Sequence, residues 1–135
     1  MRKKISVTTS CYNEQGNIRE WYERVVSVLK RFPQYDYEIV VGDNCSQDDT
    51  RKILRQIASE DLNFKVIFNS NNFGAARSGY HAFLRGSGDA VVCMCADLQD
   101  PPELIAEFVV QWERGARVVC AVKAVSHEGC WMTWC

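Results

Sequence analysis

The stretch VVCMCADLQDPPELIAEF, residues 91–108, gathers Cys93, Cys95, Asp97, Gln99 and Asp100 within eight residues. Two metal chemistries use such side chains. Thiolates take zinc, in tetrahedral sites built from spaced ligand pairs. Carboxylates and amide oxygens take Mg²⁺ or Mn²⁺, with phosphate oxygens completing the shell. The zinc option lacks a second cysteine pair, and Cys120, His127 and Cys130 do not have zinc-finger spacing. Asp100-Pro101-Pro102-Glu103 reads as a helix start in its own right, with an acidic cap, proline in the first turn and glutamate at the third position. Asp100 is therefore expected to cap that helix. Asp97 has no such duty and is the leading candidate ligand.

Strand and helix patterns alternate along the rest of the chain and must position these residues. Short β-branched or apolar runs at 5–10, 37–43, 64–69, 89–96 and 116–122 read as strands. Ile18, Trp21, Tyr22, Val25, Val28 and Leu29 recur at helical spacing, with Asn17 and Glu20 as a capping box. A second helix spans 46–60, capped by Ser46. A third, rich in small residues, spans 72–86, and a fourth follows Asp100. Near-continuous apolar strands alternating with helices predict an α/β fold, a mostly parallel sheet with helices on both faces.

Ligands of open parallel sheets bind beyond the carboxyl ends of the strands. Tyr12, Asn13 and Glu14 follow the first strand, and Asp43 and Asn44 the second. Asn72, Gly74 and Arg77 follow the third, Asp97, Gln99 and Asp100 the fourth, and Lys123 the fifth. Carboxylates for hydroxyls and base, with an arginine and a helix start for phosphates, suit an anionic, sugar-bearing ligand such as a nucleotide. Neither a phosphate-binding G-x-x-x-x-G-K-[ST] loop nor a G-x-G-x-x-G after the first strand is present.

Composition narrows the classes further. With 47% hydrophobic residues in 135, the chain can bury one domain core. Sixteen basic and seventeen acidic residues, net charge -1, give no reason to expect a nucleic-acid partner. No run approaches the ~20 apolar residues that span a bilayer, and MRKKISVTTSCYNE lacks the apolar core of a signal peptide. The chain as given is expected to be soluble and cytoplasmic. Its seven cysteines are expected to be mostly buried, reduced thiols.

Four ordered segments, SCYNEQGNI, DNCSQDDT, NFGAARSGYHAF and ADLQDPPELI, resemble family 2 glycosyltransferases over about residues 4–125. The nearest resemblance is to polyprenyl-phosphate glycosyltransferases, the group of dolichyl-phosphate mannose synthase and undecaprenyl-phosphate sugar transferases. It implies a GT-A, Rossmann-like fold. The implied reaction moves a sugar from a nucleotide-sugar donor to a lipid-phosphate acceptor at the cytosolic face of a membrane. On this resemblance Tyr12 and Glu14 line the nucleotide pocket, and Asp43 contacts base or ribose. Gly74, Ala75 and Arg77 lie near the diphosphate, and Asp97 with Gln99 holds Mg²⁺ or Mn²⁺. No catalytic residue is assigned. The alternative is a non-catalytic nucleotide-sugar-binding fragment lacking the acceptor half.

The chain departs from the family pattern at two points. Where the family has Asp-x-Asp, this sequence has Cys95-Ala96-Asp97. A neutral thiol is a poor ligand for a hard cation, so weaker metal binding is expected. Residues 126–135, ending in EGCWMTWC, do not match the pattern. Residues 1–125 are therefore expected to form the nucleotide-sugar-binding domain, with 126–135 an atypical, truncated tail.

Overall fold

The structure, a computed structural model, describes residues 2–122. Eight elements alternate: β1 (Lys4–Cys11), α1 (Ile18–Leu29), β2 (Asp36–Asp43), α2 (Thr50–Glu60), β3 (Phe64–Phe68), α3 (Ala75–Leu84), β4 (Ala90–Cys93) and α4 (Leu104–Glu113). The four strands form one parallel sheet in the order β3-β2-β1-β4. The chain steps outward from β1 to β3, then returns across the sheet to place β4 on the other side of β1.

The two sheet faces differ in sequence, and so do their helices. Ile5, Val7, Ile39 and Val41 project to one face and join Ile18, Trp21, Val25, Leu54, Ile57, Ile105 and Val109 in the main core. Residues of α1, α2 and α4 thus share that face. Trp21 and Val25 are fully buried, and each buried side chain of this size contributes about 1.5–3 kcal/mol. The opposite face carries small residues, and α3 packs close against it. A Cβ on Gly42 would stand 3.3 Å from Ser78 Oγ and 3.5 Å from Ala82 Cβ. That close approach explains the small-residue sequence of α3.

Several expectations are corrected. The run 116–122 forms no strand: it is irregular, and Val118 and Val122 are 82% and 87% exposed. Its β-branched composition favours a strand only where a partner ladder is made. Instead it lines one wall of a groove of about 1020 Å³ whose other wall is the outer edge of β4. β4 ends at Cys93, three residues early. The N-cap position of α4 is Glu103, after a tight turn at Pro101–Leu104, and not the expected Asp100. Asn17 does not form a box with Glu20; its Nδ2 donates to Glu14 Oε2 at 2.8 Å. Among the described cysteines only Cys11 is buried; Cys45 is half-buried and Cys93, Cys95 and Cys120 are exposed. Lys123 and the tail at 126–135 lie outside the described residues.

Candidate functional site

The strand order fixes where a ligand can enter. Connections leave β1 toward β2 on one side and reach β4 on the other, so the loops after β1 and β4 leave neighbouring strand ends where the strand order reverses, the usual ligand position in open parallel sheets. The loop after β1 carries Tyr12 and Glu14; the loop after β4 carries Asp97 and Gln99. Two groups of candidates far apart in sequence thus follow the carboxyl ends of neighbouring strands.

The loops after β1 and β2 are laced together by side chains bonding to backbone. Asn13 N–H donates to Ser46 Oγ at 3.0 Å, and Glu14 N–H to Thr50 Oγ1 at 2.8 Å. In return Gln47 N–H donates to Asn13 Oδ1 at 2.8 Å, and Asp49 N–H to Gln15 Oε1 at 3.0 Å. Asp48 accepts from Gln15 N–H and Thr50 N–H. Burial alone would raise the Asp48 carboxyl, but the bonds from Thr50 and Gln15 outweigh it and hold it below the usual range. Asn13 was among the strand-end residues expected from sequence, whereas Ser46, Asp48, Thr50 and Gln15 were not among the expected site residues. Their signal was present as two clusters of Asn, Asp, Ser and Thr, the types that bond nearby backbone.

A second lacing joins the loops after β2 and β3. Asn44, 3% exposed, donates to Asn72 Oδ1 at 2.7 Å and accepts from Phe73 N–H at 2.9 Å. Asn72 Oδ1 also accepts from Gly74 N–H at 2.9 Å. Asn69 Nδ2 donates to Asn44 Oδ1 and to Ser78 Oγ. These bonds set the start of α3.

Each expected site residue has a definite place. Tyr12 is 44% exposed in the loop after β1. The carbonyl of Glu14 accepts from Asn17 and Ile18 N–H at the start of α1. Gly74 is the N-cap position of α3, with φ 84° and ψ 156°. Arg77 is exposed in the first turn of α3 and lines a cleft of about 460 Å³ with Phe73, Asn69 and His81. Asp97 is half-buried, and its Oδ1 accepts from Gln99 N–H at 3.1 Å. Asp43 is fully buried, 2.8 Å from Arg51 Nε, with Ser46 N–H pointing at its carboxylate. In this arrangement its carboxylate is closed to a ligand. Beside it, burial and the charges of Asp43, Glu14 and Asp48 push the Cys11 thiol up to about 12. Cys11 is therefore a neutral core group and not a nucleophile.

Backbone strain collects on the same edge. Asn13, Cys45 and Leu98 have φ of 56°, 66° and 61°, and Gly74 has φ 84°. Each of the four strand-to-helix loops thus holds one left-handed or glycine-type residue. Non-glycine residues rarely adopt such backbone, and where they do it often marks a functional loop.

Among the described residues no group of three or more His, Cys, Asp or Glu converges on a metal position. A cation arriving with a diphosphate needs less. Mg²⁺ and its analogues keep waters and use one or two protein carboxylates beside the phosphate oxygens. Asp97, half-buried in the loop after β4, is a carboxylate of the type that fits that role.

The model of the family described as glycosyl transferase family 2 matches residues 6–134. The chain belongs to glycosyltransferase family 2. One family 2 relative, the undecaprenyl-phosphate 4-deoxy-4-formamido-L-arabinose transferase of Pseudomonas savastanoi pv. phaseolicola, is 32% identical over 133 residues, 98% of this chain and 39% of the relative. A mannosyltransferase of Pyrobaculum calidifontis, solved with GDP-Man and Mn²⁺, superposes with a TM-score of 0.67 at 24% identity, over 83% of this chain and 32% of that one. The glucosyl-3-phosphoglycerate synthase of Mycobacterium tuberculosis, solved with Mn²⁺, UDP and glucosyl-3-phosphoglycerate, superposes with a TM-score of 0.55 at 27% identity, over 81% of this chain and 39% of that one. The fold is that of GT-A glycosyltransferases, an α/β, Rossmann-like sheet with helices on both faces. The chain spans 35–41% of the length of the curated relatives it matches.

Proposed function

We propose that the carboxyl edge of the sheet binds the nucleotide of a nucleotide-sugar. We propose further that the whole protein transfers that sugar to a polyprenyl phosphate at the cytosolic face of a membrane. The observation that carries the first part is the strand order, which puts Tyr12 and Glu14 after β1 and Asp97 and Gln99 after the neighbouring β4 at one end of the sheet. Support comes from the glucosyl-3-phosphoglycerate synthase, which binds UDP and Mn²⁺. The acceptor is carried over from the relative named for undecaprenyl phosphate. No helix among the described residues is long and apolar enough to cross a membrane. Residues 1–125 are the donor-binding unit in this reading, with 126–135 a tail.

Tyr12 offers an exposed ring and hydroxyl to the nucleoside. Gly74 starts α3, whose free N–H groups and positive dipole end suit a diphosphate, with Arg77 one turn along. Asp97, with Gln99, is the protein ligand for a divalent cation carried by the diphosphate. The chemistry that Mg²⁺ or Mn²⁺ supplies when bound is neutralisation of the leaving diphosphate. The acceptor phosphate is ionised at neutral pH and attacks C1 with inversion, so no strong general base is required of the chain. Cys95 in place of an acid favours a second reading, in which the nucleotide-sugar is bound and not transferred.

Thermal melts with UDP and GDP, each with and without Mn²⁺, test the donor reading. Ligand at about 100 times Kd adds about 2.7 kcal/mol, several degrees for a chain of this size. No shift with either nucleotide at millimolar concentration removes the reading. Transfer from a nucleotide-sugar to a short polyprenyl phosphate separates the catalytic reading from the binding-only one.

A further inference from the structure

Arg51, at the second position of α2, joins the ends of two strands. Its Nε lies 2.8 Å from Asp43 Oδ2 at the end of β2. That Nε is buried and off the line of an N–H···O bond, so the contact is ionic. Its Nη2 donates to the carbonyl of Asn69, just past β3, at 3.1 Å. Its guanidinium sits 5.0 Å from the centre of the Phe68 ring. Planarity, several donors and stacking suit arginine to all three contacts at once.

We propose that Arg51 and Asp43 form a buried positioning pair that sets nucleotide affinity by holding the loops in register, without touching the ligand. The inference deepens the nucleotide reading and rests on it. Asp43 is fully buried, so it has no face open to a ligand. Its carboxylate instead receives Ser46 N–H, and Ser46 Oγ receives Asn13 N–H, beside Tyr12 and Glu14. On the other side Arg51 fixes Asn69, whose amide bonds Asn44 and Ser78 and so sets the loop carrying Gly74 and Arg77. Through one guanidinium the loops after β1, β2 and β3 are referenced to each other. An unpaired carboxylate in this place would draw in water or another cation and pull the strand ends apart.

Calorimetric titration of the full 135-residue chain with UDP and with GDP in the presence of Mn²⁺ tests the pair. Four proteins are compared: wild type, Arg51→Lys, Arg51→Met and the double variant Asp43→Asn with Arg51→Met. Arg51→Met leaves the buried carboxylate alone and is expected to weaken binding about tenfold or more. Arg51→Lys keeps the charge but loses the stacked fork, and is expected to fall between. The double variant removes both charges while the asparagine oxygen still accepts from Ser46, but the link to Asn69 stays lost, so it is expected to recover part of the affinity and bind at least about threefold tighter than Arg51→Met. A double variant that binds no tighter than Arg51→Met overturns the proposal, because the Asp43 charge then serves the ligand and not the pair. An Arg51→Met chain that folds and binds like wild type overturns it too. If Arg51→Met does not fold, the double variant is compared with Arg51→Lys, and binding at least about tenfold weaker than Arg51→Lys overturns the proposal. A wild-type chain that binds neither nucleotide removes the nucleotide reading, and this pair with it.

Discussion

Replacing Cys95 by aspartate restores two carboxylates at the end of β4, and the consequence can be sized. Cys95 is exposed, so a charged side chain there carries no burial penalty. Stability is expected to stay within about 0.5 kcal/mol of wild type. In water a unit charge at about 4 Å contributes about 1 kcal/mol, and a divalent cation doubles that to about 2 kcal/mol. At 1.4 kcal/mol per decade, Mn²⁺ affinity in the presence of nucleotide should rise about thirtyfold. A thiol is a poor ligand for a hard cation and supplies none of this. Asp97→Ala removes the remaining carboxylate and should abolish the Mn²⁺-dependent part of nucleotide binding. Circular dichroism checks folding, and calorimetric titration of Mn²⁺ at fixed UDP gives the affinities. A folded Cys95→Asp chain with unchanged Mn²⁺ affinity would refute the reasoning that this position belongs to the cation site.

The remaining predictions concern stability. Glu38 is 2% exposed; burial alone would raise its carboxyl, but Lys65, Ser6 and Ser87 outweigh that and hold it at about 2. Its folded value is thus below its unfolded one, so its contribution is present above about pH 4.5 and is lost as pH falls toward 2. Acid denaturation monitored by fluorescence should show Glu38→Gln less stable than wild type by about 3 kcal/mol at pH 7, with the gap closing below pH 4.5. Gly74→Ala meets open space but has φ 84°, so it should cost about 1–3 kcal/mol in urea denaturation through backbone strain alone. Cys45→Gly, at φ 66°, should stabilise the chain by up to about 1 kcal/mol as the left-handed strain is relieved.

Strand existence and type were legible wherever the apolar run was paired on both sides or backed by helices: β1, β2 and β3 fall within one or two residues of their sequence patterns. The reading failed at the edge. The segment 116–122 has strand composition, but composition does not state whether a ladder partner is in place, and here none forms. Helix caps were misjudged for a related reason. Ser46 is a good local cap by type, yet its hydroxyl serves Asn13, 33 residues away. Asp97 and Tyr12 were legible as candidates because the parallel sheet puts every strand end on one edge. Arg51 was not, because an arginine in an amphipathic helix ordinarily faces water, and only the fold brings it against Asp43. Asp43 itself was read as open to a ligand, whereas its burial follows from Arg51 and Ser46 closing over it.

The account's central claim is that a nucleotide diphosphate binds at the carboxyl edge of this sheet. The groove of about 1020 Å³ beside β4 offers the natural rival location. Backbone amide NMR shifts of the uniformly ¹⁵N-labelled chain, titrated with UDP and with GDP in the presence of Mg²⁺, distinguish the two directly. The prediction is that the largest shifts fall in residues 12–17, 44–50, 69–77 and 95–99, and that those of 95–99 diminish when Mg²⁺ is withdrawn. Shifts confined to 90–92 and 104–121, or no shifts at millimolar nucleotide, would contradict it.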